Sequence, residues 1–241
     1  MKTILLTGAT GAIGKAIIKL LNNAGYRIAG QYFTNEDAAE KLKDEFHKIK
    51  LYKANLLNIN ECEKLVDDAE KDFGEINILI NNASAIYGAK KFLEINEEAF
   101  DNTITINFKS HFFITQKVIK NMLTKKIKGK IINISSISVR YGGGNDTIHY
   151  GCAKAALECL TKGLAKQFAP DILVNCVQCG FIDSDFHKKI GRSEDDIKKR
   201  IEMIPLKRAG KPEDIAHMIE YLCSEKADFI TGQIFTVSGG D

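Results

Sequence analysis

Tyr150 and Lys154 are the residues of this chain whose types and spacing point most directly to chemistry. They are four positions apart in a strongly helical segment, so their side chains lie on one face of a helix, one turn apart. A free tyrosine has a pKa of about 10, and a neighbouring ammonium group favours the phenolate and lowers that pKa. We therefore expect Tyr150 to exchange a proton with a substrate. The same spacing also occurs on solvated helix faces, so the assignment depends on the rest of the chain.

A glycine-rich turn within residues 7–14 follows the first predicted strand and opens the first predicted helix. In that position Gly8 permits a tight turn, Gly11 lets the backbone approach a pyrophosphate, and Gly14 lets the helix pack closely on the sheet. The helix N-terminus adds unpaired N–H groups and the positive end of its dipole. A plain strand–turn–helix connection is the alternative, but position and spacing favour a dinucleotide site. Its expected contacts also include Thr10, Ala12 and Ile13.

The residues after the second predicted strand bear on the choice of dinucleotide. NAD enzymes usually have an Asp or Glu there that binds the ribose 2′-hydroxyl, whereas residues 31–35 of this chain read Gln-Tyr-Phe-Thr-Asn. Because no carboxylate would repel a 2′-phosphate, NADP(H) is favoured over NAD(H), with Thr34 as an expected contact. The glycine turn has no Arg or Lys to bind that phosphate, which leaves Arg27 and Lys41 as candidates.

Strand-like and helical segments alternate along nearly the whole chain. The predicted strands are Thr3–Thr7, Arg27–Phe33, Lys50–Ala54, Ile76–Asn81, Lys130–Ser135, Leu173–Gln178 and Ile234–Val237. The predicted helices are Ile13–Asn23, Asn35–His47, Asn58–Phe73, Asp101–Lys125, Tyr150–Phe168 and Pro212–Cys223. Strands such as 131–134 are continuously apolar or nearly so, which is typical of a parallel sheet buried on both faces. We predict an α/β protein with a doubly wound Rossmann fold, in which residues 1–241 form one dinucleotide-binding domain around a seven-stranded parallel sheet.

These motifs, in this order, resemble the short-chain dehydrogenase/reductase family over nearly the whole chain, and most of all its 3-oxoacyl-[acyl-carrier-protein] reductases. The resemblance is carried by Gly8–Gly14, Asn81–Ala83, Asn107, Ser136, Tyr150, Lys154, Val174–Ser184, Pro205–Arg208, Ile230–Gln233 and Gly239–Gly240. It implies a catalytic set of Asn107, Ser136, Tyr150 and Lys154. It further implies that Asn55, Leu56, Asn82, Ala83, Gly180, Ile182 and Ser184 contact the cofactor, together with Tyr150 and Lys154.

The resemblance assigns a role to each catalytic residue in the reduction of a ketone by a nicotinamide hydride. Ser136 is expected to hydrogen-bond the carbonyl oxygen and Tyr150 to protonate it. Lys154 is expected to lower the pKa of Tyr150 and to hold the nicotinamide ribose, and Asn107 to position a water that relays protons to Lys154. A serine at a strand end and an asparagine within a helix also have purely structural explanations, but the complete set favours catalysis. His149 beside Tyr150 is expected to be a satisfied or solvent-facing side chain.

Several positions depart from the family pattern. Gly11 and Ala12 stand in a glycine turn whose usual spacing differs by one residue, Ser84 replaces the Gly expected after Asn-Asn-Ala, and Asn55 stands where an Asp often contacts adenine. Cys179 replaces a common Pro before Gly180, so we expect a less rigid loop there. Ser136 precedes Tyr150 by 14 positions, one more than expected, which predicts an enlarged or reshaped 139–149 segment beside the substrate pocket.

Three functions follow from these features. The first is an NADPH-dependent 3-oxoacyl-thioester reductase, whose substrate is free or bound to an acyl carrier protein. The second is a reductase or dehydrogenase of another carbonyl or alcohol, such as a sugar, steroid or polyketide. The third is a dinucleotide-binding regulator without turnover, against which the complete Asn–Ser–Tyr–Lys set argues. The resemblance also implies a homotetramer assembled through the predicted helices 101–125 and 150–168.

Composition narrows the class of protein. With 34 basic and 31 acidic residues and a net charge of +3, the 241-residue chain does not suggest a nucleic-acid binder. No apolar run approaches the roughly 18 residues of a membrane span, and the N-terminal residues do not predict a secretory signal. Six cysteines without such a signal predict reduced thiols in a cytoplasmic protein, and one Cys-x-x-Cys, at 176–179, is not enough to predict a metal site.

A basic run lies late in the long predicted helix and in the segment that follows it, and consists of Lys117, Lys120, Lys125, Lys126, Lys128 and Lys130. A solvated helix face with cations near its C-terminus explains this pattern. Docking of an acidic acyl carrier protein is the alternative.

Overall fold

The computed structural model of the protein describes residues 1–241, and its seven strands form one parallel sheet in the order β3-β2-β1-β4-β5-β6-β7. The strands are β1 (Thr3–Leu6), β2 (Arg27–Tyr32), β3 (Ile49–Lys53), β4 (Ile78–Asn81), β5 (Gly129–Ser136), β6 (Ile172–Cys179) and β7 (Ile234–Val237). The strand order reverses between β1 and β4, so the carboxyl ends of these two strands flank the crevice where ligands of doubly wound sheets bind. The predicted fold class and all seven predicted strands are confirmed.

Nine α-helices connect and follow the strands. They are α1 (Ala12–Asn23), α2 (Glu36–Glu45), α3 (Ile59–Phe73), α4 (Glu97–Ile104), α5 (Ser110–Thr124), α6 (Ile148–Phe168), α7 (Phe186–Lys189), α8 (Glu194–Met203) and α9 (Pro212–Cys223). Short 3₁₀ turns cover Phe92–Glu94, Ile137–Val139 and Glu225–Ala227. None of the helices is both long enough and apolar enough to span a membrane.

The prediction of one continuous helix over 101–125 is wrong in two respects. Helix α4 begins earlier, at Glu97, because Asn96 caps it by accepting a hydrogen bond from the backbone of Ala99 at 2.9 Å. The helix then widens into a π-helical segment, Thr105–Lys109, before α5 continues. Such widened turns are frequent at functional sites, and this one contains Asn107.

Helices α7 and α8 are absent from the sequence prediction. Helix α8 has no buried residue, so its sequence lacks the apolar periodicity on which helix prediction depends. Its start is nevertheless encoded locally, because Ser193 and Asp196 form a capping box.

Two apolar layers cover the two faces of the sheet. On one face, α1 and α9 pack their isoleucine-rich sides on the strands, as Ile17, Ile18, Ile215 and Ile219 are fully buried. On the other face, α3, α5 and α6 do the same. Because both faces are covered, the central strands are largely apolar along their length, apart from buried polar residues such as Asn133 of β5 and Asn175 of β6.

One buried polar chain ties the helices of the second layer to the sheet. Asn81 of β4 donates to Thr115 of α5 at 2.9 Å and to Asn133 of β5 at 2.8 Å. Asn133 in turn donates to Thr161 of α6 at 2.9 Å. Buried polar groups need partners of this kind, so the chain fixes how α5 and α6 sit on the strands. Helix α5 directly follows the segment that contains Asn107, and helix α6 carries Tyr150.

Candidate active site

The glycine turn lies at the carboxyl end of β1, against the loop that follows β4. Gly8 has a φ of +69°, and a Cβ there would come within 2.9 Å of the Ala83 Cα. Asn82 stabilises this approach by donating to the carbonyls of Thr7 at 2.9 Å and Gly8 at 3.1 Å. A Cβ at Gly14 would overlap the Gly8 carbonyl oxygen. Gly8 and Gly14 therefore have the close approaches that the dinucleotide motif predicts.

The first turn of α1 fits an anionic cofactor group. Its N-cap residue, Gly11, has no side chain to bond the backbone N–H groups, and the turn contains no acidic residue. By contrast, α2, α4 and α8 each begin with a side-chain cap. The free N–H groups and the helix dipole suit a pyrophosphate, and Thr10, Ala12 and Ile13 lie around this turn.

The end of β2 shows which residues face the expected adenosine ribose. Gln31 is buried and engaged, because its oxygen accepts from Gly8 N at 2.9 Å and its nitrogen donates to Ala54 O at 2.7 Å. Thr34 lies in the turn after β2, and the neighbouring strand β3 ends at Lys53, which pairs with Glu36 of α2. Lys53 is thus a cation at this edge that sequence reasoning missed, because only the pairing of β2 with β3 reveals it.

Arg27 is not a candidate for binding a 2′-phosphate. It stands at the amino end of β2, where it donates to Thr3 Oγ1 at 2.8 Å and to Phe73 O at 3.1 Å and lies over the Phe73 ring. The sheet is parallel, so this is the end opposite the expected cofactor. Lys41 is exposed on α2 and forms no ion pair.

Asn55 and Leu56 follow β3. The Asn55 side-chain oxygen already accepts from Leu57 N at 3.0 Å, and its backbone N–H donates to Glu61 at 2.7 Å. Leu56 is buried. Asn55 thus shapes the turn that would border the adenine, and its oxygen keeps one lone pair for the adenine amino group.

Tyr150, Lys154 and Ser136, which the family resemblance groups together, lie at the carboxyl end of β5. Lys154 lies one turn after Tyr150 on α6, with its ammonium nitrogen 5.6 Å from the centre of the Tyr150 ring. That nitrogen donates to Ile134 O at 2.9 Å and is almost fully buried. Ser136, the last residue of β5, lies two residues beyond Ile134, and its hydroxyl acts to lower the pKa of the Tyr150 phenol.

The expectation that Lys154 lowers the pKa of Tyr150 is wrong. Burial raises the pKa of Tyr150 to about 12, and the groups that oppose this increase are the hydroxyls of Ser84 and Ser136. Lys154 stands over the ring face and points to a backbone carbonyl, and burial lowers its own pKa to about 8. Tyr150 is consequently protonated at neutral pH, which suits a proton donor.

Asn107 does not present its side chain to a water site near Lys154. Its amide nitrogen donates to Ala85 O at 2.6 Å and to Thr103 O at 2.8 Å, and its oxygen accepts from the Ser84 hydroxyl at 2.6 Å. The side chain is thus fully engaged with the loop after β4. Sequence reasoning noted Ser84 only as a departure, whereas the structure places its hydroxyl 2.6 Å from Asn107 Oδ1.

Two histidines border the site. His111, one turn after Asn107, is fully buried, and burial together with the charge of Lys154 lowers the pKa of His111 to about 3. It is therefore neutral and adds no second positive charge beside Lys154. His149 is buried, with Nε2 2.9 Å from Tyr87 O, but its Nδ1 is buried without a hydrogen-bond partner, so the expectation of a satisfied side chain holds for one ring nitrogen only.

The segment after β6 closes the nicotinamide end of the expected cleft. Cys179 pairs with Ser136 and Val237 within the sheet, so it extends the strand and does not loosen the loop. Gly180 lies so close to Ser238 that a Cβ would come within 2.5 Å of its Cα. Ile182 bridges to Gly210, and the Ser184 hydroxyl bonds Ile182 O at 3.4 Å.

Helices α7 and α8 form a lid over the substrate side. Phe186 of α7 faces the Tyr150 ring at 6.2 Å, and Phe181 stacks on His187 at 3.7 Å. Arg200 of α8 lies over Phe181 at 5.8 Å and pairs with Asp241. The wall nearest Tyr150 is therefore aromatic and apolar.

The 139–149 segment folds as a compact turn. Gly142, Gly143 and Gly144 all have positive φ, and Gly143 packs against Ile148 and Gly151 at the start of α6. The added length is thus absorbed in a left-handed turn. Arg140 and Tyr141 reach from this segment to Asp241.

The basic run lies at the other end of the sheet. Lys117 pairs with Asp67, Lys125 with Glu70, and Lys130 with Asp228. The run ends at Lys130, near the start of β5, whereas Ser136 is at the far end of that strand, so six residue steps, about 20 Å, separate the two. This favours the interpretation as a solvated, partly paired face. The structure contains no group of three or more His, Cys, Asp or Glu side chains that could hold a metal ion.

Comparison with known proteins gives consistent likenesses. A family model described as enoyl-(acyl carrier protein) reductase matches residues 8–241. The chain is 36% identical over 247 residues to the 3-oxoacyl-[acyl-carrier-protein] reductase of Aquifex aeolicus, covering 99% of this chain and 96% of that protein. It is 37% identical over 242 residues to the corresponding reductase of Rickettsia conorii, covering 99% and 96%. A short-chain dehydrogenase/reductase of Brucella melitensis, described as glucose/ribitol dehydrogenase, superposes with a TM-score of 0.90 at 30% identity, covering 99% of this chain and 96% of that chain.

Proposed function

The chain belongs to the short-chain dehydrogenase/reductase family, and from this premise we propose that it is an NAD(P)H-dependent oxidoreductase that reduces a ketone to a secondary alcohol. The observation that carries the proposal is the placement of Tyr150 at the carboxyl end of β5. Its phenol is protonated and lies one helical turn from Lys154. The glycine turn opens on the same edge of the sheet.

The chain's own residues handle the substrate oxygen and the proton. When bound, the reduced dinucleotide supplies the hydride that reaches the carbonyl carbon. Ser136 donates a hydrogen bond to the carbonyl oxygen, and Tyr150 transfers its phenolic proton to that oxygen as negative charge develops on it. Lys154, whose ammonium nitrogen lies 5.6 Å from the centre of the Tyr150 ring, is the proposed partner of the nicotinamide ribose.

We propose that the cofactor is NADP(H) in preference to NAD(H). Residues 31–35 offer no carboxylate to the ribose, and Lys53 supplies a cation at the adjoining strand end. The proposed contacts are Gly8, Thr10, Gly11, Ala12, Ile13, Gly14, Thr34, Asn55, Leu56, Asn82, Ala83, Tyr150, Lys154, Gly180, Ile182 and Ser184.

We propose a 3-oxoacyl thioester as substrate, free or bound to an acyl carrier protein. The names of the Aquifex and Rickettsia relatives support this choice, and Phe186 offers an apolar wall beside Tyr150 for an acyl chain. The description of the matching family model also makes a 2-enoyl thioester a candidate. The description of the Brucella structure makes a sugar or polyol a candidate substrate.

We further propose that residues 1–241 act as one domain and assemble as a homotetramer through the helical regions 97–124 and 148–168. Phe100 and Leu123 are about half exposed in the first region, and exposed apolar groups on paired helices favour association. A cytoplasmic location stays a prediction.

The deciding experiment follows NADPH and NADH oxidation with acetoacetyl thioester, simple ketones, a 2-enoyl thioester and sugar substrates. In the Tyr150→Phe variant, turnover with the productive substrate should fall by more than about a hundredfold, because the proton donor is lost. Tyr221→Phe is the matched control, since Tyr221 bonds only Lys226 O at 3.3 Å near α9.

Thioester-dependent oxidation that disappears in Tyr150→Phe, with dinucleotide binding retained, supports the proposed function. If only another ketone is turned over, the proposed mechanism stands and the proposed substrate is replaced by that ketone. Near-normal turnover by Tyr150→Phe overturns the role of Tyr150.

A further inference from the structure

The residues that follow β4 form a loop that joins the glycine turn to the start of α6, and we call residues 82–87 the bridging loop. At the first residue of this loop, Asn82 donates to two carbonyls of the glycine turn, at 2.9 and 3.1 Å. At its last residue, the carbonyl oxygen of Tyr87 lies 2.9 Å from Nε2 of His149, the residue directly before Tyr150. The bridging loop therefore extends from the expected dinucleotide site to the helix that carries the proposed proton donor.

Two buried residues hold the bridging loop on the side of α4 and the π-helical segment. Asn107 donates to Ala85 O at 2.6 Å. Thr103 accepts from Tyr87 N at 3.0 Å and donates to Tyr87 O at 3.3 Å. Both residues are fully buried, so the loop cannot leave them without exposing unpaired polar groups to an apolar interior. On the side of α6, the hydrogen bond of His149 is the one that holds the loop.

The chemistry of the His149 ring shows that its contribution is to geometry more than to stability. A carbonyl oxygen only accepts, so Nε2 carries the ring proton, and in the neutral ring Nδ1 is an acceptor. Nδ1 is buried and has no hydrogen-bond partner. A buried acceptor without a partner costs at least as much free energy as one neutral hydrogen bond contributes. The imidazole therefore adds little net stability over an apolar side chain, but it fixes where the loop meets the helix.

We propose that His149 is a positioning residue, which ties the start of α6 to the bridging loop and thereby sets the position of Tyr150 relative to the bound dinucleotide. This inference rests on the proposed function, because it takes Tyr150 as the proton donor. The hydride and the proton must reach the two adjacent atoms of one carbonyl group, so a small displacement of the phenol lowers the rate. The glycine turn keeps its own contacts without His149, so dinucleotide affinity should not depend on this residue.

The test uses His149→Leu, which removes the donor, and His149→Gln, whose amide can donate in its place, with NADPH and the ketone that proves productive. His217→Leu is the matched control, because His217 is exposed on α9, which packs on the other face of the sheet. In His149→Leu we expect kcat to fall roughly five- to tenfold, which corresponds to the loss of one hydrogen bond. The Kd for NADPH should be unchanged, and the thermal unfolding temperature should be no lower than that of the control. His149→Gln should recover most of the lost kcat.

A double-mutant cycle with Tyr150→Phe determines whether His149 acts through Tyr150. In the Tyr150→Phe background the group that His149 positions is gone. His149→Leu should then change the residual rate by less than about twofold, whereas two independent effects would multiply.

Four results would overturn the proposal. The first is a wild-type kcat in His149→Leu while Tyr150→Phe is inactive. The second is a His149→Gln variant as slow as His149→Leu, which means that the donated hydrogen bond is not the cause. The third is an equal loss of rate in both backgrounds, or a loss accompanied by a lower unfolding temperature, which means that His149 only supports the fold. The fourth is normal turnover by Tyr150→Phe, which removes the proposed function itself and involves no change at His149, so it is distinguished from the other three.

Discussion

The Tyr150 phenol and the Lys154 ammonium lie together on one face of α6. Burial keeps the phenol protonated by raising its pKa, whereas the same burial lowers the pKa of Lys154 to about 8. The two effects have one cause, since a charge of either sign is disfavoured away from water. At this scale the site is a neutral proton donor next to a cation that is easily neutralised.

The choice of dinucleotide is also decided by single residues. In Lys53→Ala, the KM for NADPH should rise roughly two- to fivefold while the KM for NADH stays within error, because an exposed cation contributes less than about 1 kcal/mol to binding a phosphate. Steady-state kinetics with both dinucleotides measures this.

Lys50→Ala is the control for that comparison, because Lys50 lies on the same strand and, like Lys53, forms an exposed ion pair, but it stands three residues farther from the carboxyl end of β3. Equal changes in both KM values after Lys53→Ala would contradict the assignment of Lys53 to the 2′-phosphate.

At the scale of secondary structure, the junction of β1 with α1 controls cofactor binding. The helix starts directly above the Gly8 carbonyl, and only a residue without Cβ fits at Gly14. Helices α2 and α8 begin differently, because the side chains of their N-cap residues accept hydrogen bonds from backbone N–H groups of the first turn. The uncapped start of α1 leaves that turn free for an anion.

Gly14→Ala should lower the free energy of unfolding by about 1–3 kcal/mol, because the added methyl meets backbone that cannot yield, and should weaken dinucleotide binding at least tenfold. Thermal unfolding and calorimetric titration measure the two effects.

Gly163→Ala is the matched substitution, in the exposed part of α6 where a Cβ meets nothing within 4 Å. It should stabilise the protein by about 0.5–1 kcal/mol. A Gly14→Ala variant as stable as Gly163→Ala would show that the helix is not closely packed on the turn.

At the scale of the whole molecule, Asp241 joins three parts that are distant in the sequence. It pairs with Arg200 of the lid, accepts from the Tyr141 hydroxyl at 3.1 Å, and its carbonyl accepts from Arg140 at 3.4 Å. The lid, the segment after β5 and the residues after β7 are thus held together on the substrate side. A second pair, Arg192 with Asp146 at 2.5 Å, reinforces the same contact.

Asp241→Asn should lower the free energy of unfolding by about 1–2 kcal/mol, since a charged hydrogen bond to the largely buried Arg200 is lost, and should raise the KM for the ketone. Thermal unfolding and limited proteolysis of residues 181–203 measure lid release.

Asp228→Asn serves as its control, because Asp228 is more than half exposed in its pair with Lys130 at the other end of the sheet. Such an exposed ion pair contributes little to the free energy of unfolding. If Asp241→Asn were no more sensitive to protease than Asp228→Asn, Asp241 would not hold the lid.

The sequence by itself determined the fold class, the seven strands and the glycine turn, and the family resemblance supplied Ser136, Tyr150 and Lys154 as candidate catalytic residues. The fold features depend on local pattern, namely continuous apolar strands, helical spacing and glycine where the backbone turns sharply. Helix α8 escaped prediction because none of its residues is buried, so no apolar period marks it.

Only the tertiary structure decided what the side chains at the site contact. Three contacts arise between segments distant in the chain. They are those of Arg27 at the amino end of β2, the pairing of Lys53 with Glu36, and the hydrogen bond from Ser84 to Asn107. The pKa of Tyr150 is also decided by the tertiary structure. Spacing along one helix suggests that Lys154 lowers it, whereas burial contributed by several elements raises it. The burial of a side chain and the groups that it contacts depend on how distant segments pack together, and a local sequence pattern does not contain that information.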